Sequence, residues 1–214
     1  SHDHHIKLLF QCLENKDVSS WNQFAKETTD IIKLRECNFE GFNLDGIIFH
    51  NRDGRGADLY KSKFNKTKIN GAIFTNSNLD NAEFINSDIV GSSFYGAHLN
   101  KSIFSNTTIA MSNFDHASLN ESSINHTKFF SCSFYETIFQ NSSFEVSQFI
   151  SFGYNLCIKK NILTNLCGAN FRNAFFDEKT YFDNSMLSIK TDFRGPSFKK
   201  INFFSGLEQT ASFC

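Results

Sequence analysis

Every fifth residue from Leu59 to Phe149 is large and apolar, nineteen in succession without a slip. Their identities cycle too: Phe64, Ile69, Phe74, Leu79 are followed by Phe84, Ile89, Phe94, Leu99 and then by Phe104, Ile109, Phe114, Leu119. The next round, Ile124, Phe129, Phe134, Phe139, keeps the position and relaxes the identity. A period of five nested in a period of twenty is the signature of a solenoid whose coil has four sides. Two residues before each anchor stands a small one, from Ala57, Ser62 and Thr67 through Cys132 to Ser147, and every one is Ala, Ser, Thr or Cys. If each five-residue unit makes one side of the coil, the large residue fills the axis and the small one fits beside it near the corner, where anything bulkier clashes.

The units Ala57-Asp58-Leu59, Ser77-Asn78-Leu79, Ser87-Asp88-Ile89 and Ala169-Asn170-Phe171 read small, Asp or Asn, large apolar. In this pattern the chain, over roughly residues 37–204, resembles the bacterial pentapeptide-repeat family. The resemblance implies an all-β solenoid, a right-handed quadrilateral β-helix with about twenty residues per coil, here with a short α-helical N-terminal cap and an irregular C-terminal cap. The chain departs from the family pattern at the middle position of several units, where Lys63, Lys68, Ile73, Glu83, His98 and Ile103 replace Asp or Asn. These side chains are expected to point outward.

Length and composition agree with one elongated domain, because 27 Phe against one Trp and one Pro make the core a Phe column. At a strand spacing of about 4.8 Å, five coils over residues 55–154 form a rod about 24 Å long. Such a rod needs caps. Leu8, Leu9, Cys12 and Leu13 lie at helical spacing, and a second helix is expected over residues 20–28, where Ser20 precedes Gln23 in a capping-box pattern. Residues 1–36 thus read as a helical cap that plugs the first coil with Trp21, Asn22, Phe24, Ile31 and Ile32, residues 37–154 as the β-helix, and residues 155–214 as a broken final coil and C-terminal cap. The first coil runs through Phe39, Leu44 and Phe49, and Asn51 to Gly56 reads as a loop that keeps the five-residue count while interrupting one side. No Walker lysine and hydroxyl follow it, so nucleotide binding is not expected.

Charge bears on function. Some members of the family imitate B-form DNA, bind DNA gyrase or a related topoisomerase, and protect it from inhibitors, which calls for a dense acidic surface. Here the net charge is -1, and residues 55–154 balance Arg55, Lys61, Lys63, Lys66, Lys68, Lys101 and Lys128 against eight Asp and Glu. The basic residues gather early, with Arg52, Arg55, Lys61, Lys63, Lys66 and Lys68 within one coil, a candidate basic patch or a solvated charged face. Aligned on the period of twenty, Asn70, Val90, Ala110, Phe130 and Ile150 fall one above another, with Met111 beside them and Tyr95 and Tyr135 opening the next column. An outward apolar stripe on a rod is a candidate contact site, unless the C-terminal segment folds back over it.

Catalytic patterns are poor. His98 and His116 are eighteen residues apart and could meet across adjacent coils near Asp115, but spacing fixes no third ligand. The histidines at 2, 4 and 5 carry no functional weight. Six cysteines without a CxxC pair are expected to be reduced structural thiols, with Cys132 in an inward slot. The Asn-x-Ser/Thr matches, such as Asn65-Lys66-Thr67 and Asn106-Thr107-Thr108, arise from an Asn- and Ser-rich repeat and are given no meaning. No cofactor and no enzymatic activity are expected, since a rod with a filled axis offers little cleft. With neither a signal peptide nor an apolar stretch of about twenty residues in view, the expected location is the bacterial cytoplasm.

The expectation is therefore a non-catalytic interaction module that binds a protein partner through a face or an end of the β-helix, with membrane and nucleic acid unlikely partners by chemistry. The resemblance further implies a homodimer contact through the C-terminal region. Two alternatives stay open: the DNA-mimicking topoisomerase protector, and, because the chain starts at Ser1 rather than Met, the β-helix portion of a secreted bacterial effector acting in host cytoplasm.

Overall fold

A computed structural model describes residues 2–150, 153–155, 160–162, 164–177, 179–183, 191–192, 194, 197–198 and 202–204. The chain winds as a right-handed, roughly quadrilateral β-solenoid. Side one is anchored by Leu59, Leu79, Leu99, Leu119, Phe139 and Phe171, and side two by Phe64, Phe84, Phe104, Ile124, Phe144 and Phe176. Side three is anchored by Ile69, Ile89, Ile109, Phe129 and Phe149, and side four by Phe74, Phe94, Phe114, Phe134 and Leu166. All of them are buried, so the five-residue period maps residue by residue onto the axis.

Sides two and three carry parallel sheets. On side three, β1 (Lys68–Asn70), β3 (Asp88–Val90), β5 (Thr108–Ala110), β7 (Lys128–Phe130), β9 (Gln148–Ile150), β13 (Tyr181–Asp183) and β15 (Asn202–Phe204) pair in that order. On side two, the order is β2 (Glu83–Ile85), β4 (Ile103–Ser105), β6 (Ser123–Asn125), β8 (Ser143–Glu145), β12 (Phe175–Phe176) and β14 (Ser197–Phe198). Sides one and four are held by single parallel bridges, such as Asn78 to His98 and Ser93 to Asn113. Like residues therefore sit over like residues, and the rings of Phe74 and Phe94 stack at 4.8 Å.

The corners have a uniform conformation. The second residue after each anchor, from Lys61 to Val146, has a positive φ in all eighteen units, whether Gly, Asn, Lys, His, Met or Val. At the corners after Phe74 and Leu79 the next N–H closes a turn, Ser77 N to Phe74 O and Ala82 N to Leu79 O, each at 3.0 Å. Positive φ at the third residue of such a turn belongs to type II. The small residue that follows points inward, and several of its hydroxyls reach a carbonyl of the preceding coil: Ser77 donates to Phe49 O at 3.0 Å and Thr107 to Phe84 O at 2.8 Å, while Ser112 bonds within its own coil. That explains Ser and Thr in a dry core, since a buried hydroxyl needs a partner.

The N-terminal helices are α1 (His2–Glu14) and α2 (Val18–Glu27). The cap of α2 is Asp17, whose carboxylate accepts from Ser20 N and from the Ser19 and Ser20 hydroxyls, and not the Ser20–Gln23 box. These bonds hold the Asp17 carboxyl down to about 2. Trp21 is fully buried and donates its indole N–H to Ile48 O at 2.9 Å, while Asn22 bonds both Gly46 O and Ile48 N. Phe10 of α1 stacks on Phe39, so the helices cover the open end of the Phe column.

Two departures from a constant coil stand out. Bridges from the first coil join residues 25 apart, Lys33 to Asp58 and Asn38 to Lys63, whereas later coils keep 20. One whole unit, residues 51–55, is extruded between sides four and one. The first coil also begins earlier than expected, with Ile32 and Leu34 already buried. Beyond Ile150 a second excursion leaves the corner between sides three and four, and it includes the antiparallel pair β10 (Gly153–Asn155) and β11 (Lys160–Ile162). The chain then resumes the ladder, with partners 32 apart, Ser133 to Asn165 and Ile138 to Asn170. The coil does not break there. Phe176 pairs with Phe198 and Phe182 with Phe203, so residues whose spacing looks out of phase rejoin the same sheets. Phe193, Cys157 and Cys214 lie outside the described residues.

Candidate interaction surface

The apolar column on side three forms as the period requires: Asn70, Val90, Ala110, Phe130 and Ile150 are successive partners in the parallel sheet. Its exposure differs from expectation. Ala110 is buried, because its single methyl sits between the larger Val90 and Phe130, which with Ile150 are only partly exposed. The outward apolar surface is instead concentrated in Met111, at 51% the most exposed large apolar side chain among those described. Met111 is a corner residue with φ of 49°, which turns it away from the sheet.

Tyr95 and Tyr135 do not adjoin that column. They follow the side-four anchors and occupy the opposite edge of that side, in one column with Asp115 between them. Ser93, Asn113 and Ser133, short and polar, run between the two edges. On the tyrosine edge the His116 ring meets Tyr95 edge-on at 5.3 Å and Tyr135 at 5.6 Å, and its Nδ1 lies 3.3 Å from Glu136 Oε2. A hydrogen bond to Glu136 and the charge of that carboxylate raise the Tyr135 phenol above its ordinary value. Asp115 accepts from the Ser133 hydroxyl and from Tyr135 N at 2.8 Å. His116 is thus engaged by the tyrosines and Glu136, and not by His98 as the spacing had suggested. Among the described residues no group of three or more His, Cys, Asp or Glu is placed to hold a metal ion.

The basic residues are not brought together. Arg52 and Arg55 lie in the extruded unit and share Asp53, at 3.7 and 3.1 Å. Lys61 is at the corner between sides one and two and sits 5.4 Å over the Tyr60 ring, Lys63 is on side two beside Glu83, Lys66 is at the next corner paired to Glu40 at 2.9 Å, and Lys68 is on side three. The run is spread over the extruded unit, two sides and their corners, with Lys63 and Lys66 both acting on the Glu40 carboxylate. Sequence reasoning also passed over Ile138, 37% exposed at the middle position of its unit, as is Ile103. The thiols divide: Cys12, Cys37 and Cys132 are free and buried, with Cys132 pushed up to about 12 by burial, whereas Cys167 is disulfide-bonded. The expectation of reduced thiols throughout therefore fails at Cys167. One concavity of about 470 Å³ lies where the helices meet the first coil, lined in part by Leu13, Val18, Phe42 and Asp45. No helix among the described residues is long and apolar enough to cross a membrane.

Fold and surface together define a capped, four-sided β-solenoid. The family model for pentapeptide repeats matches residues 32–71 and 67–106, with eight copies, so that stretch carries repeats of that family. Among solved structures, it is similar to HetL, a pentapeptide repeat protein involved in heterocyst differentiation regulation from the cyanobacterium Nostoc, at 13% identity and a TM-score of 0.47, covering 78% of this chain and 87% of that one. It is also similar to a trypsin-treated form of QnrB1, a plasmid-mediated fluoroquinolone resistance protein, at 18% identity and a TM-score of 0.46, covering 84% and 87%. A third, the pentapeptide repeat protein Rfr23 from the cyanobacterium Cyanothece, gives 13% identity and a TM-score of 0.32 over 80% and 90%. At these scores the solved structures add no argument, and the likeness to the family rests on the matched residues 32–106. A comparison with curated protein sequences finds no match.

Proposed function

We propose that this chain is a non-catalytic protein-interaction module that engages a protein partner along side four of the solenoid. The observation that carries the reading is the flanking of one strip of short polar residues by exposed apolar and aromatic side chains on both edges, Met111 on one and Tyr95 and Tyr135 on the other. Aromatic residues and Met are enriched at protein interfaces, and the strip between them offers hydrogen-bonding groups without bulk.

The test is affinity capture with the whole chain from bacterial and host-cell lysates, compared with a Met111→Asp variant. Asp tolerates the positive φ of that corner, so the fold is retained and the apolar edge is lost. A specific protein captured by the parent and lost by the variant supports the reading. Capture that ignores the substitution moves the contact off side four, recovery of topoisomerase subunits points to the DNA-mimic reading, and the absence of any specific partner sinks the module.

A further inference from the structure

We infer that the Tyr95–His116–Tyr135 corner is a docking point for an arginine side chain of the partner, presented on a basic, extended segment. This rests on the interaction-module reading and names the chemistry of its contact. The chain itself shows the arrangement on side one. Arg35 and Tyr60 are neighbours from successive coils at the position just after the anchor, and the Arg35 guanidinium carbon lies 4.4 Å over the Tyr60 ring. Its Nη1 pairs with Asp58 Oδ2 at 3.1 Å, so a tyrosine face and a nearby carboxylate together hold the guanidinium.

The same position on side four carries Tyr95, Asp115 and Tyr135 in consecutive coils, with Glu136 alongside. Both tyrosines are well exposed, at 43% and 38%, and among the described residues no Arg or Lys lies over either ring. His116 packs between the two rings in edge-to-face geometry, and the Glu136 carboxylate that bonds Tyr135 and lies beside the imidazole is itself 43% exposed. Gly96, the corner residue beside Tyr95, has no side chain of its own, and the Asn76 side chain of the preceding coil lies against it. The corner thus brings together the two kinds of group found at the Arg35 site, tyrosine rings and carboxylates, with His116 between the rings and, among the described residues, no Arg or Lys over them. An acidic, aromatic site of this kind is complementary in charge to an arginine and indifferent or repulsive to an acidic segment.

The experiment is a titration of the full chain with the peptide acetyl-Gly-Arg-Gly-Arg-Gly-amide, followed through the aromatic ring resonances of Tyr95, Tyr135 and His116. The expected result is saturable shifts confined to these rings, a weaker response to the lysine counterpart, and none to the glutamate one. In a Tyr95→Leu/Tyr135→Leu variant, and separately in Glu136→Gln, the Kd rises by about fivefold or more. Unchanged thermal unfolding of both variants shows that the fold is not the cause. Equal affinity in parent and variants, equal response to lysine or glutamate peptides, or no shift at millimolar peptide overturns the proposal. If a Met111-dependent partner is nevertheless captured, the interaction module stands and only the arginine site falls.

Discussion

The ring of Phe94 lies 4.6 Å from that of Phe114, nearly parallel at 5° and one coil apart on side four. Each ring is both wall and floor for the next, so the column loses contacts on two sides when one member is removed. Phe114→Ala is expected to destabilise the solenoid by about 3 to 5 kcal/mol, and Phe114→Leu by distinctly less, read as a shift of the denaturant midpoint. A shift under about 1 kcal/mol for the alanine variant contradicts a close-packed axis.

Gly56 tests the extruded unit of the first coil. A methyl group placed on it meets the Asn76 carbonyl carbon and oxygen at 2.1 Å, whereas one on Gly54 meets nothing within 4 Å. Gly56→Ala must push two coils apart and is expected to cost on the order of 3 kcal/mol. Gly54→Ala pays only for the left-handed backbone, about 1 to 2 kcal/mol. Thermal unfolding of the two variants side by side should show that order, and the reverse order rules out the close approach.

Asn51 is buried and satisfied on both ends of its amide. It donates to Thr29 O at 2.9 Å and Asp30 O at 3.2 Å, and accepts from Asp53 N at 3.1 Å and Arg55 N at 2.9 Å. Asn51→Ala removes all four bonds, leaving Thr29 O only the Arg55 guanidinium at 2.8 Å, and is expected to cost on the order of 3 kcal/mol. Asn51→Asp keeps the two acceptor bonds and loses the donors. Hydrogen exchange should then show the Asp53 and Arg55 amides still protected in the aspartate variant and open in the alanine one.

His5 makes the N-terminal cap sensitive to acid. It is almost wholly buried against Phe24, and its Nδ1 accepts the Lys33 N–H at 3.2 Å. Burial lowers its pKa from 6.5, helped by the positive charges of His4 and Lys33 and opposed by Asp30. The folded state therefore binds the proton less readily than the unfolded one. Stability is complete above about pH 6.5 and declines as the pH falls below it. Trp21 fluorescence should report loosening of the cap between about pH 6.5 and 5 that is absent in a His5→Phe variant. Identical acid profiles would refute the coupling.

The axis was legible because its rule is local: a large residue every fifth place needs no knowledge of partners, and Leu59 through Phe149 all fall inside. What failed were inferences that depend on where a coil closes. Phe49, Gly54 and Leu59 keep the count of five, so a whole extra unit between them is invisible to that period and appears only in the 25-residue pairing of Lys33 with Asp58. Phe198 looks out of phase because extra residues are spent between the ladders, yet it lies beside Phe176. The stripe was placed correctly in its column, but exposure depends on neighbours, and Val90 and Phe130 close over Ala110. Tyr95 and Tyr135, expected to adjoin the stripe, lie across side four from it, since five residues on a square coil span a full face. Lys61 to Lys68 were scattered by the same geometry. The disulfide at Cys167 depends on pairing across the fold, which spacing alone does not carry.

The excursion after Ile150 leaves at a corner and returns to the same ladder with the axis undisturbed. Contacts in a solenoid run only between adjacent coils, so material added at a corner is invisible to the stack above and below. The corners are therefore grafting points. Such a rod can acquire a new appendage in one step, at a height and on a side set by where the extra residues enter, while its shaft keeps its length and its shape.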